Sequence, residues 1–197
     1  MDTTHLFSVT KTFDRMPRAH AQFQDCNADG SPGPCANLHG YDLIVSIEVS
    51  AKELDQYGWV YGFGNFKKIR QFLEYYCDHT SAISAEDPRR EQVLEELSGG
   101  NSLYGTMRMM PYGVSMEMMS LFLFEQAAGY IYNTSEGRCA ITKIEFREHS
   151  ANQGQLVIDF DKSLEIGKRL SDKPSLNTNP IWDFERPSLA VKRILGE

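Results

Sequence analysis

Tyr41-Asp-Leu-Ile-Val-Ser-Ile-Glu-Val-Ser50 is the stretch that decides the fold. Tyr41, Leu43, Val45, Ile47 and Val49 alternate with Asp42, Ser46, Glu48 and Ser50, and Ile44 is the one break. Successive side chains on a strand point to opposite faces, so this period of two predicts a strand with one apolar and one polar face. Carried upstream, the same parity puts His39 on the face of Tyr41. Cys35 lies four residues before that histidine, at the mouth of the strand.

Leu6 to Phe13 reads as a second strand, with Phe7, Val9 and Phe13 on one parity and Ser8, Thr10 and Thr12 on the other. Pro17 is expected to end it, leaving His20 in a polar connection. Gln22 to Pro34 is a loop rich in Asp, Asn, Gly and Pro. Its Asp25 to Gly30 segment looks like half of a calcium loop. Ala36 stands where a bidentate Glu is required, so the segment reads as a solvated turn.

Downstream, Phe66, Ile69, Leu73 and Tyr76 share one stripe at helical spacing, which predicts a helix from Asn65 to Tyr76 capped by Asn65. Asp78-His79 lies just past its end. Ser84 to Pro88 reads as a helix start and Gly99-Gly100 as its stop, inside a surface insertion at about 80–112. Thr106 to Tyr112 fits strand or loop. Ser115 to Tyr132 is apolar nearly all round and predicts a helix buried on more than one side. Ala140 to Glu148 predicts a third strand, with Thr142, Ile144, Phe146 and Glu148 on one face and Lys143, Glu145 and Arg147 on the other. Gln155 to Phe160 completes a hairpin across a turn containing Gly154. The order is α+β: a four-stranded antiparallel sheet in ββααββ order, with an inserted helix. The domain spans 1–160, and a C-terminal extension with one or two short helices covers 161–197.

The 197 residues are enough for one sizeable core, and 41% hydrophobic with 24% charged residues is ordinary globular composition. A formal charge of −7 argues against nucleic acid or an anionic membrane as partner. No apolar run is long enough to span a membrane and no secretory signal is read, so the expected address is cytoplasmic. Cys26, Cys35, Cys77 and Cys139 form no Cys-x-x-Cys pair and read as reduced thiols.

Six pieces in order carry a resemblance: Ala19-His20; Cys35-x-x-Leu-His39-Gly-Tyr41; Gly58-Trp-Val-Tyr-Gly62-Phe63 before a lysine-bearing helix; Asp78-His79; Ser115-Met-Glu117; and Arg147-Glu148. With them the chain resembles the 6-pyruvoyltetrahydropterin synthase / 6-carboxytetrahydropterin synthase family, from about residue 6 to 160. The cysteine four residues before the histidine is similar to the carboxytetrahydropterin branch. The resemblance implies the tunnelling fold and lyase chemistry on 7,8-dihydroneopterin triphosphate, towards 7-deazaguanine (queuosine) precursors. It implies zinc held by His20, His39 and the residue at 41, acting as a Lewis acid on side-chain hydroxyls. Cys35 would be the thiolate base, Asp78 and His79 an acid/base pair, and Glu148 the carboxylate that grips the amino-pyrimidine edge of a pterin. It also implies a homo-oligomer with sites between subunits, which closes the free sheet edges.

The chain departs from the family at two positions. His39-Gly40-Tyr41 stands where the family has His-Gly-His, and Gly62-Phe63 stands where it has Asp-Phe. Tyr41 keeps the face but not the imidazole, and a neutral phenol is a poor zinc ligand. The Asp missing at 62 is read as one that supports a zinc histidine from behind. Two readings follow: a working lyase, or a zinc-deficient pterin- or purine-binding or scaffold protein on the same fold.

Overall fold

The computed structural model describes residues 5–93, 106–177 and 186–196. Strand β2 (His39–Ala51) forms as its alternation requires, with Leu43, Val45, Ile47 and Val49 fully buried on one face. It pairs antiparallel with β1 (Phe7–Ala21) on one side and β5 (Cys139–Arg147) on the other. Strand β6 (Gln153–Val157) closes the hairpin with β5.

The sheet holds six strands, not the four read from sequence. Thr80–Ser84 (β3) and Thr106–Met110 (β4) extend it parallel to β1, giving the order β4-β3-β1-β2-β5-β6. All five residues of β3 are buried, so no alternation marked it. The expected Gly99-Gly100 helix stop lies outside the described residues. The expected surface segment carries a buried Asp87, whose carboxylate accepts two hydrogen bonds from the Arg89 guanidinium. Arg89 Nη1 in turn donates to the Ala36 carbonyl at 2.8 Å, tying this segment to the turn before β2.

β1 runs through Pro17 instead of stopping there. Between Phe13 and Met16 it holds one residue more than β2, and Arg15 takes a left-handed φ of 60°. A bulge of this kind shifts side-chain parity by one. Phe13 and Met16 therefore both turn into the core, and Arg18 and His20 follow Met16 inward. Pro17 is tolerated because it lies where β3 pairing has not yet begun; its carbonyl accepts from the His79 amide at 2.7 Å.

Helices α1 (Lys67–Cys77) and α2 (Met116–Thr134) cover the apolar face. The start of α1 differs from expectation: Asn65 falls in a 3-10 turn, Phe63–Phe66, and does not cap the helix. Ser115 caps α2, its Oγ accepting from the Met118 amide at 3.3 Å. Helix α3 (Phe160–Leu170) starts where sequence placed the end of a strand, because Asp159 accepts from the Asp161 and Lys162 amides. It packs on α2 and β5, and α4 (Pro187–Leu195) follows. The opposite sheet face is polar: Ser50, Glu48 and Thr142 share hydrogen bonds, and Glu145 pairs with Lys143 and Arg147. Thr142 was expected beside Ile144, but β5 gains a residue opposite Glu48/Val49 and turns Thr142 over. Among the described residues no helix is long and apolar enough to cross a membrane.

Candidate functional site

The β1 bulge assembles the site. By restoring parity after Phe13 it sets His20 directly opposite His39, and Arg18 opposite Tyr41. The two histidine Nε2 atoms stand 3.0 Å apart. Glu148, one residue past β5, brings Oε1 to 3.4 Å from His39 Nε2 and 4.0 Å from His20 Nε2. Its amide donates to the Asn152 carbonyl and fixes the turn into β6. Among the described residues His20, His39 and Glu148 form a group able to hold a metal ion, their donor atoms lying within 4.8 Å of one another.

The ring orientations are set from behind. His39 Nδ1 lies 2.8 Å from the Asn37 carbonyl, which only accepts, so Nδ1 carries the proton and Nε2 presents a lone pair in the neutral ring. The Gln22 amide nitrogen donates to His20 Nε2 at 3.3 Å, so that nitrogen also presents a lone pair. With a carboxylate added, three acceptors converge on one point. Two imidazole nitrogens and a carboxylate oxygen are a donor set that fits a divalent metal. His20 is fully buried, and burial drives its pKa down to about 3, helped by the neighbouring His39 and Arg18 and opposed by the Val114 main chain. A neutral imidazole is the form that ligates.

Tyr41 does not join the three donors. Its hydroxyl lies 3.0 Å from His20 Nδ1, the other ring nitrogen, and burial pushes its ionisation above the ordinary phenol range. Arg18 is 5% exposed; its Nη1 donates to Cys77 Sγ at 3.3 Å, while Nε and Nη2 meet no acceptor among the described residues.

Cys35 sits in an exposed 3-10 turn, Pro34–Ala36. Its amide donates to Asp25 Oδ2 at 2.9 Å and its carbonyl accepts from the Gln22 amide, so the calcium-like loop is a turn that shapes the approach to β2. A Cβ on Gly33 would fall 2.1 Å from that Asp25 oxygen, which explains the glycine. Asp78 Oδ1 accepts from His79 Nδ1 at 2.8 Å, but the His79 side chain is 80% exposed. Neither Cys35 nor the Asp78–His79 pair belongs to the His20–His39–Glu148 group.

Gly62 corrects one expectation. It lines a surface pocket of about 470 Å³ with Ser8, Val9, Trp59 and Phe63. Val9 is eleven residues before His20 on the same strand, roughly 30 Å at strand rise. A carboxylate at 62 would therefore stand far from the imidazoles of its own chain. Sequence reasoning also missed Gln22. It lies just past the end of β1, and with His20 read as part of a connection no parity pointed to it.

The comparisons agree with the order of strands and helices around these histidines. Residues 8–173 match the family model for 6-pyruvoyl tetrahydropterin synthase. Among solved structures, an uncharacterized protein from Wolinella succinogenes superposes with TM-score 0.67 at 19% identity, over 79% of this chain and 100% of that one. The 6-pyruvoyl tetrahydropterin synthase of Caenorhabditis elegans gives TM-score 0.51 at 17% identity, over 81% and 100%. A Plasmodium vivax 6-pyruvoyltetrahydropterin synthase, solved as a catalytic-residue mutant, gives 0.53 at 14%, over 78% and 99%. No curated protein matches. The structural likenesses show the tunnelling fold. Because the family model spans most of the sequence, including both histidine strands and the Glu148 turn, the chain belongs to the 6-pyruvoyl tetrahydropterin synthase family.

Proposed function

We propose that the protein is a metal-dependent lyase of the 6-carboxytetrahydropterin synthase type, acting on 7,8-dihydroneopterin triphosphate towards 7-deazaguanine precursors. One observation carries the reading: two imidazoles whose Nε2 lone pairs meet at 3.0 Å on adjacent strands, on a chain of this family. His20 and His39 would hold the metal, which fits zinc. When bound, it would supply Lewis-acid polarisation of the substrate side-chain hydroxyls.

The remaining chemistry falls to the chain. Asn37 selects the Nδ1–H tautomer of the neutral His39 ring, and Gln22 donates to His20 Nε2, which orients both ligating nitrogens. The Cys35 thiol, exposed on its turn, acts as base towards the substrate side chain once it is a thiolate. Asp78 holds the Nδ1 proton of His79, which leaves His79 Nε2 to exchange a proton with substrate. Its exposure suits a site completed by a second copy of the chain, so the working form is a homo-oligomer. The test is zinc analysis of purified protein together with turnover of 7,8-dihydroneopterin triphosphate, followed by acetaldehyde release. Zinc with turnover supports the reading, and absence of both refutes it. The second reading, a pterin- or purine-binding protein without turnover, is favoured by the Tyr41 hydroxyl bonding His20 Nδ1 instead of supplying a third imidazole.

A further inference from the structure

We infer that Glu148 is the third ligand of the metal centre, in place of the imidazole that Tyr41 replaces, and that Tyr41 is a positioning residue for His20. The inference rests on the metal-site part of the proposed function and changes the work assigned to two residues.

Distances favour ligation. Two donors on one metal at about 2.0–2.2 Å stand about 2.9–3.6 Å apart, between right-angle and tetrahedral geometry. The His20–His39 and His39–Glu148 separations, 3.0 and 3.4 Å, already fall in that range. The His20–Glu148 separation, 4.0 Å, exceeds it by less than one rotamer adjustment. Proton accounting agrees. Gln22 donates to His20 Nε2, the Asn37 carbonyl accepts from Nδ1 of His39 and so leaves Nε2 as the acceptor of the neutral ring, and an ionised carboxylate can only accept. With His39 neutral, Glu148 Oε1 meets an acceptor at Nε2, and the contact suits a shared cation.

The competing role is the one the family resemblance implies, an anchor for the amino-pyrimidine edge. That role needs both carboxylate oxygens free to accept two N–H bonds. The Glu148 side chain is 17% exposed and one oxygen already faces the imidazoles. Committed to a metal, it keeps a single oxygen for anything else, and two-point recognition of a pterin by this residue is lost. The centre becomes two histidines and one carboxylate, a set that leaves positions open for hydroxyl or carbonyl oxygens of a substrate. Tyr41 then supports the centre from behind: its hydroxyl on His20 Nδ1 at 3.0 Å fixes the ring plane, so that Nε2 points at the metal.

The experiment uses the full chain stripped with EDTA and titrated with Co(II), read by its visible d–d absorption, and with Zn(II) against a competing chelator. Neopterin binding to the metal-free protein is measured in parallel. Glu148→Gln should weaken Zn(II) affinity at least tenfold and alter the Co(II) spectrum, while changing neopterin affinity less than threefold. Glu148→Asp keeps a carboxylate; it should retain a Co(II) band and an intermediate affinity, which separates lost ligation from misfolding. Tyr41→Phe should keep one metal per chain with affinity lowered tenfold or more, the usual scale for a group behind a ligand. An unchanged Zn(II) affinity and Co(II) spectrum in Glu148→Gln, with neopterin affinity lost, overturns the assignment and restores the anchor role. Wild-type protein that takes up metal through Glu148 but releases no acetaldehyde refutes the lyase reading alone.

Discussion

Replacing Arg18 with methionine should stabilise the protein, and the size of the gain follows from what the guanidinium lacks. Arg18 is 5% exposed, and only its Nη1 finds a partner, the Cys77 sulfur at 3.3 Å. Nε and Nη2 are buried without an acceptor among the described residues. Each such donor costs about 1–3 kcal/mol, and a buried charge without a counter-ion costs more. Methionine keeps most of the apolar stem, so little packing is lost. Exchanging buried ions for apolar residues of similar volume commonly gains about 1–4 kcal/mol. At an m-value of about 2 kcal/mol/M, the urea midpoint should rise by about 0.5–2 M, measured at one protein concentration. A second readout follows from position. Arg18 lies two residues before His20 on one strand face, about 6.6 Å by strand rise. Its charge then opposes another unit charge at His20 by about 0.6 kcal/mol in a water-like dielectric and about 2.5 kcal/mol at an effective value near 20. Zn(II) affinity in Arg18→Met should therefore tighten at least about threefold. A urea midpoint lowered by more than about 0.5 M, about 1 kcal/mol at that m-value, would refute this reasoning, because it would mean that the guanidinium is paired in solution.

Acid should unfold the metal-free protein partly through His20. The folded ring takes its proton near pH 3 and the unfolded ring near 6.5, so stability present above 6.5 is lost as pH falls towards 3. The slope from this group approaches at most about 1.4 kcal/mol per pH unit. Urea midpoints between pH 7 and 4 should fall less steeply in His20→Gln, and an identical slope would place the acid sensitivity elsewhere. Gly129→Ala tests the packing of α2 on α3. A Cβ there would sit 2.5 Å from the Leu170 carbonyl oxygen, main chain that cannot swing aside. Overpacking of about 1–3 kcal/mol should outweigh the roughly 1 kcal/mol that alanine gains in a helix, lowering the thermal midpoint. Gly64→Ala, with open space around its Cβ, should leave the midpoint unchanged.

The core strands were legible because their pattern is physical: β2 buries Leu43, Val45, Ile47 and Val49 on one face, and in β5 Ile144 and Phe146 alternate with Lys143, Glu145 and Arg147. The irregularities were not legible. Asp14 and Arg15 carry no glycine or other sign of the β1 bulge, yet the bulge decides which face His20 occupies. β3 is short and buried throughout, so its Thr-Ser-Ala-Ile-Ser sequence shows no period, and the sheet was read as two strands too narrow. For the site, His20 and His39 could be named from sequence because motif spacing survives divergence. The ring nitrogen that Tyr41 meets depends on a three-dimensional register that spacing does not record.

That register bears on how the Tyr41 replacement is judged. Counted by residue type, a histidine lost from His-x-His removes one of three ligands and argues for a dead site. Counted by donor atoms, the centre still has three, because the turn after β5 brings a carboxylate to 3.4 Å from His39. A phenol in the place of the imidazole reaches His20 from behind, and the donors that remain, two imidazoles and a carboxylate, are a set that fits a metal. With Glu148 as the third ligand inferred above, its carboxylate offsets the imidazole absent at 41.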